Sequence, residues 1–321
     1  MRPFVHCIAK PINSTRFLLA LLPLMLYSSF AMAQEHVPEP AVNIGDTSFL
    51  DGVGGPGLLT ETIGDAMHST EIVDGAGQKV SGTGQVNSTS SLTHVAWLSE
   101  SRLLGAWYGV EIVVTAAHVD AGRDMAAGGF GDLTVSPLVL QWGQKKVGPI
   151  NLDQRLVFDF GLPVGKYSPK ADVNLSSHAY MANPHYDLTV LPFKRVETSW
   201  RIHYLRPSEN RNPPLSFGAR SIQAGQAIHL NGTISYQLTK HLWIGSNGYY
   251  LKQISDPKIN GINISNSPEQ VGAIGPGMVW NHGEWSFYVN GYHEFGAENR
   301  PTGNKVVLRL ERVFGNKKKG T

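Results

Sequence analysis

Residues 229–238 read HLNGTISYQL, and this stretch decides the fold. Leu230, Gly232, Ile234, Tyr236 and Leu238 fall on one face, while His229, Asn231, Thr233, Ser235 and Gln237 fall on the other. A period of two belongs to a β-strand, here with one apolar and one wholly polar face. Residues 285–295 repeat the design, with Trp285, Phe287, Val289 and Phe295 opposing Ser286, Tyr288, Asn290, Tyr292 and Glu294. Around Trp200, Ile202 and Tyr204 the opposite face carries Glu197, Ser199, Arg201 and His203. Leu156, Phe158, Phe160 and Leu162 likewise oppose Asp153, Arg155 and Asp159.

A soluble sandwich also alternates, so alternation alone does not separate it from a membrane barrel. Three features do. The strands run to about 11–14 residues, where soluble strands average about five or six and a tilted membrane strand needs about 9–11. Aromatics (Trp97, Trp107, Trp142, Trp200, Trp243, Trp280 and Trp285) gather toward strand ends, as interfacial girdles require. Connections alternate in length: residues 238–241 and 281–284 are tight, whereas 119–129, 207–225 and 255–269 are long and rich in Gly, Pro and Asn. The pattern predicts an all-β, transmembrane, antiparallel up-and-down β-barrel of about twelve strands. They fall near 57–70, 86–98, 104–118, 130–142, 152–164, 178–192, 196–206, 226–238, 241–254, 270–281, 284–295 and 304–314. The first two alternate least.

Composition agrees. Charged residues make up 16% of the 321-residue chain, against a usual value of about 25%. A formal net charge of +2 argues against a nucleic-acid partner. One cysteine excludes an intrachain disulfide framework and a cysteine-based zinc site. At the N-terminus Arg2, Lys10 and Arg16 precede an apolar core at 17–30 and an Ala31-Met32-Ala33 site, which reads as a signal peptide over residues 1–33. Cleavage removes Cys7 and leaves a cysteine-free exported chain. Residues 34–56, with Gly52, Gly54, Gly55 and Pro56, read as a periplasmic lead-in or a small plug, 57–314 as the barrel and 315–321 as a basic tail. The last strand alternates through Val306, Leu308 and Leu310 to the aromatic Phe314, with Val307, Arg309 and Glu311 opposed. It resembles the C-terminal signal by which bacterial outer-membrane proteins engage their assembly machinery, apart from the seven residues that follow.

Several segments together resemble the outer-membrane family named for the meta-cleavage pathway of phenol degradation. They are GGFGDLTV at 128–135, Pro137-Leu138, GLPVGKY at 161–167, WRIHY at 200–204, SEN at 208–210 and EFGAENRP at 294–301. The resemblance spans residues 49 to 314. It implies a barrel in the outer membrane of a Gram-negative bacterium, passing small hydrophobic, often aromatic, compounds passively and needing no cofactor. The alternatives are a structural or adhesive barrel without transport, or a barrel lipase.

Other motifs weigh less. Thr115-Ala116-Ala117-His118 copies a protease histidine motif, but the triad needs a serine on a Gly-flanked turn, and residues 51–56 (DGVGGP) carry none. Ser246-Asn247-Gly248 lacks the histidine that a barrel lipase places two residues earlier. His185, His203 and His229 face one way, yet their spacing predicts solvated lumen histidines rather than a metal set. With apolar faces turned to lipid, the inward set includes Glu111, Asp153, Arg155, Asp159, Asp187 and Glu197. From that side Arg201, His203, His229, Asn231, Tyr288, Tyr292, Glu294, Arg309 and Glu311 are the expected transport-path residues. Mixed charges in so narrow a lumen predict that Arg201 and Arg309 pair with carboxylates. They also predict a small or gated channel rather than a wide pore.

Overall fold

The computed structural model describes residues 36–314, apart from 83, 123 and 124. The signal peptide expected at 1–33 and the tail at 315–321 lie outside the described residues.

Among the described residues, twelve long strands follow one another around a closed barrel. They are β1 (Gly57–Val73), β2 (Asn87–Leu103), β3 (Ala106–Asp120), β4 (Leu133–Val147), β5 (Ile150–Leu162) and β6 (His185–Phe193), then β7 (Val196–Pro207), β8 (Ala227–Gln237), β9 (Leu242–Gln253), β10 (Gln270–His282), β11 (Trp285–Glu298) and β12 (Arg300–Phe314). Each pairs antiparallel with its sequence neighbour, and β12 closes on β1 from Leu58↔Phe314 to Val73↔Arg300. Closure leaves no strand edge exposed to lipid, where an unpaired backbone group would cost several kcal/mol, roughly.

At the end holding Gly57 and Phe314, the connections are only two to four residues long. One is Leu104-Gly105, whose φ values of 54° and 77° suit the primed turn a two-residue hairpin needs. Longer connections at 74–86, 121–132, 163–184, 208–226 and 254–269 stand at the opposite end, joined there by the single-residue turn at Asn299. This asymmetry orients the barrel, with short turns periplasmic and long loops external.

Lipid-facing positions carry Ile202, Ile234, Val289, Val306 and Leu308, all 41–57% exposed on the isolated chain. Phe130, Phe160, Tyr204, Tyr250 and Phe295 form the outer aromatic band, and Trp97, Trp280, Trp285 and Phe287 the inner one. Three tryptophans depart from the expected girdle. Trp243 is 6% exposed and packs inward with Phe49, Trp107 borders a lumen cavity, and Trp200 sits mid-strand against Gly232. The predicted strand at 178–192 is also shorter, β6 beginning at His185. Pro184 has no N–H to give a ladder, although its carbonyl still accepts from Tyr204 N at 3.0 Å.

Residues 36–56 run inside the barrel. Asp46, Thr47, Ser48 and Phe49 are at most 5% exposed. Near the loop end, Glu39 N donates to Glu269 Oε1 at 2.9 Å, and His36 Nε2 lies 3.0 Å from the same oxygen. Farther down, Gly45 N donates to Asn231 Oδ1 at 2.7 Å, and Tyr292 OH donates to Gly45 O at 2.9 Å. Near the short-turn end Leu50 N donates to Glu197 Oε1 at 3.0 Å and Gly52 N to Thr189 Oγ1 at 2.8 Å. An irregular backbone at membrane depth is tolerable because lumen side chains satisfy its polar groups.

Candidate functional site

The lumen wall is built by the inward half of each strand's alternation, and it has two chemically different sides. On β6–β8, registered neighbours form polar rows: His185, His203 and His229, then Asp187, Arg201 and Asn231, then Thr189, Ser199 and Thr233. Glu197, beneath them, accepts hydrogen bonds from Ser199 Oγ (2.7 Å), Thr233 Oγ1 (3.1 Å) and Ser235 Oγ. The internal segment docks on this polar side. The inward residues of β1–β3 are more apolar, with Ile63, Leu92, Val113, Ala117 and Val119 facing open space.

All nine path residues expected from alternation point inward. Among them His203, His229, Asn231, Tyr288, Tyr292 and Glu294 are under 8% exposed. Their surroundings differ from expectation in one respect. The three histidines are not solvated but packed ring against ring, His185–His203 tilted with centroids 4.5 Å apart and His203–His229 stacked at 4.0 Å. Leu205 and Ala227, fully buried one step farther along the strands, close that side off from water. His185 Nδ1 lies 2.7 Å from Asp187 Oδ1, and His229 Nε2 lies 3.1 Å from Asn183 Oδ1. No group of described residues forms a metal-binding cluster.

A ring of charge crosses the lumen at mid-depth. Arg155 on β5 pairs with Glu111 on β3. His94 on β2 bridges two carboxylates, Nε2 3.1 Å from Glu111 Oε2 and Nδ1 2.6 Å from Glu61 Oε1. Glu61 meets Arg309 Nε at 2.5 Å, and Arg309 Nη2 donates to Glu311 at 2.7 Å while its guanidinium lies 4.7 Å over the Tyr288 ring. The internal segment completes the circuit. Asp51 accepts from Arg201 Nε at 2.9 Å and Nη2 at 3.0 Å, and lies 3.9 Å from Arg309. Arg201 also meets Asp187 at 3.0 Å, and Asp187 stands opposite Arg155 in the β5–β6 register. A second tie lies farther out, where Lys305 Nζ donates to Asp46 Oδ1 at 3.0 Å and to Ile44 O at 2.8 Å. Each cation is matched because an unpaired charge at such burial costs several kcal/mol, roughly.

Three cavities lie along the segment. The outer one, about 390 Å³, is walled by Val37, Pro38, Pro40, Ala41, Leu175, Phe217 and Ile222. Its roof is tied by Asn210, whose Nδ2 donates to Tyr167 OH and to Ser177 O, both at 3.1 Å, joining two external loops. The middle cavity, about 320 Å³, shares Ala41 and Val119 with the outer one and runs along the apolar side of β1–β3. The inner one, about 490 Å³, shares Glu61, His94, Arg201 and Arg309 with the middle one, so the charge ring is their common wall.

Sequence reasoning missed Asp46, Asp51, Glu61, His94 and Lys305. No local signal marked them: Asp46 and Asp51 lie in a segment without periodicity, and Glu61 and His94 lie on β1 and β2, whose faces alternate least. Neither enzyme motif assembles a site. His118 faces outward from β3, and Ser246 Oγ donates to Gly275 O at 3.2 Å within an ordinary strand.

Similar folds exist among solved structures. An outer membrane channel of Pseudomonas putida F1 superposes with a TM-score of 0.72 at 14% identity, covering 85% of this chain and 100% of its own. The toluene transporter TbuX of Ralstonia pickettii reaches a TM-score of 0.42 at 10% identity, covering 88% of this chain and 99% of its own. The first likeness establishes a shared barrel fold, and the second carries no argument. No curated protein matches the sequence. This outer-membrane barrel matches one family profile over residues 69–310, most of the chain, and it belongs to that family, described as "Putative MetA-pathway of phenol degradation".

Proposed function

We propose that this protein is an outer-membrane channel for passive uptake of small hydrophobic or aromatic compounds, serving aromatic catabolism. The observation that carries the reading is the series of three abutting cavities along the internal segment, the middle one lying between it and β1–β3. It begins in an apolar chamber under the external loops and continues along Ile63, Leu92 and Val113. A cavity of 300–400 Å³ lies at the small end of ordinary ligand sites and fits a single-ring solute. Membership of a family tied to phenol degradation supports the same class of solute, as does the channel role of the structural neighbour from Pseudomonas putida.

In this reading residues 34–56 act as a plug that narrows the lumen to one side, and Arg201, His203, His229, Asn231, Tyr288, Tyr292, Glu294, Arg309 and Glu311 set its polar wall. The leader is removed near Ala33, and the last strand ending at Phe314 engages the assembly machinery. Transport follows the gradient.

The test is initial uptake of labelled benzyl alcohol and of a linear alcohol by Gram-negative cells with and without the protein. The lipopolysaccharide leaflet supplies the barrier that simple liposomes lack for such solutes. The reading expects faster benzyl alcohol entry that rises linearly with external concentration and survives removal of metabolic energy. Equal uptake with and without the protein would leave a structural or adhesive barrel as the better account.

A further inference from the structure

The geometry points to a passage that admits cations and neutral solutes and rejects anions, an inference that rests on the channel reading above. It comes from the balance of charge on the cavity walls. The middle and inner cavities are faced by Glu61, Asp65, Glu111, Asp153, Asp159 and Glu311 from the strands, and by Asp46 and Asp51 from the internal segment. The basic side chains on the same walls are Arg155, Arg201, Lys305 and Arg309. Acids outnumber bases two to one, and the strand residues alone still leave an acidic excess.

The four bases are also spoken for. Arg155 is held by Glu111, Arg201 by Asp51 and Asp187, Lys305 by Asp46 and Asp65, and Arg309 by Glu61 and Glu311. An anion entering the ring would have to displace a carboxylate already within hydrogen-bond distance of its guanidinium. Asp159, by contrast, draws its contacts from the Ser136 hydroxyl, 2.5 Å away, and from His185 at 3.5 Å, so no Lys or Arg offsets its charge in those contacts. Acidic rings of this kind make cation channels, and narrow low-dielectric walls extend their reach.

The solute class follows. A ring compound bearing a carboxylate meets a negative wall, whereas one bearing a hydroxyl or an ammonium group finds acceptors. His94 lies between two carboxylates, and in either neutral tautomer it can donate to only one of them, which again leaves acceptors in excess.

The experiment is the reversal potential of the purified full-length chain in planar bilayers under a KCl gradient. Potassium permeability should exceed chloride permeability by about threefold or more near 0.1 M and approach parity near 1 M, where screening shortens to about 3 Å. Asp159→Asn combined with Asp153→Asn should lower the ratio. Whole-cell uptake should favour benzyl alcohol and benzylamine over benzoate. A chloride preference, or benzoate uptake equal to that of benzyl alcohol, would overturn the inference while leaving the channel reading intact. No current and no solute uptake above protein-free controls would overturn both.

Discussion

Asp51→Asn is the sharpest probe of how the internal segment is held. In the native barrel Asp51 takes two charged hydrogen bonds from Arg201, at 2.9 and 3.0 Å, with Arg309 3.9 Å away. The amide keeps one acceptor oxygen and loses the charge. Neither arginine is orphaned, because Arg201 retains Asp187 and Arg309 retains Glu61 and Glu311. The cost is therefore that of weakened charged hydrogen bonds, about 2–3 kcal/mol, rather than the larger penalty of a stranded buried ion. The remaining ties at Gly45, Asp46, Leu50 and Gly52 keep the segment docked in most molecules. What changes is how often it lifts off. Ser48, fully buried against Asn247 and Asn290, reports that event when replaced as Ser48→Cys. Maleimide labelling of Ser48→Cys in the folded, membrane-inserted protein should accelerate about 30- to 140-fold when Asp51→Asn is added, by the conversion of about 1.4 kcal/mol per tenfold. An unchanged rate would refute the claim that the Asp51–Arg201 pair holds the segment. A rate that rises only with loss of barrel structure would refute the claim that the segment moves separately.

Other consequences are as definite. Gly45 sits at φ 81°, and a Cβ there would come within 3.0 Å of the Tyr249 ring, so Gly45→Ala should weaken docking by about 1–2 kcal/mol and raise the same labelling rate. The Glu39 carboxyl, outside the strands, is pushed up to about 8 by burial. Its folded form thus holds a proton that the unfolded segment has released. That contribution is complete below about pH 4.5, weakens as pH rises to about 8 and is flat beyond. Labelling of Val37→Cys should therefore quicken between pH 5 and 8, and Glu39→Gln should flatten that slope. Leu308 faces lipid near the middle of β12, and Leu308→Arg should cost about 2–4 kcal/mol, read as a smaller folded fraction on unheated gels.

How much of this was legible in the sequence depends on contrast between faces. Around β7 and β8 the two faces differ at every step, Trp200 and Ile234 against Arg201 and Ser235, so strand, orientation and lumen residues could be read together. On β1 and β2 the contrast fails. Outward positions are Thr62, Gly64, Ala66, Ser91 and Thr93, and inward ones include Ile63 and Leu92. Yet these are 17-residue strands, because closure supplies a hydrogen-bonded neighbour on each side whatever their side chains. The same loss of contrast marks the apolar wall of the middle cavity, so the strands hardest to read carry the proposed path. The internal segment has no periodicity at all. Its placement depends on long-range partners such as Asp46 with Lys305, which no local pattern reveals.

The most direct test of the central claim is to narrow the proposed path without touching the plug. Val113 faces the middle cavity from the centre of β3, opposite the internal segment. Val113→Trp should leave the barrel folded and Ser48→Cys protected, while lowering benzyl alcohol uptake toward that of cells lacking the protein. Undiminished uptake by a folded Val113→Trp barrel would contradict a passage between the internal segment and β1–β3.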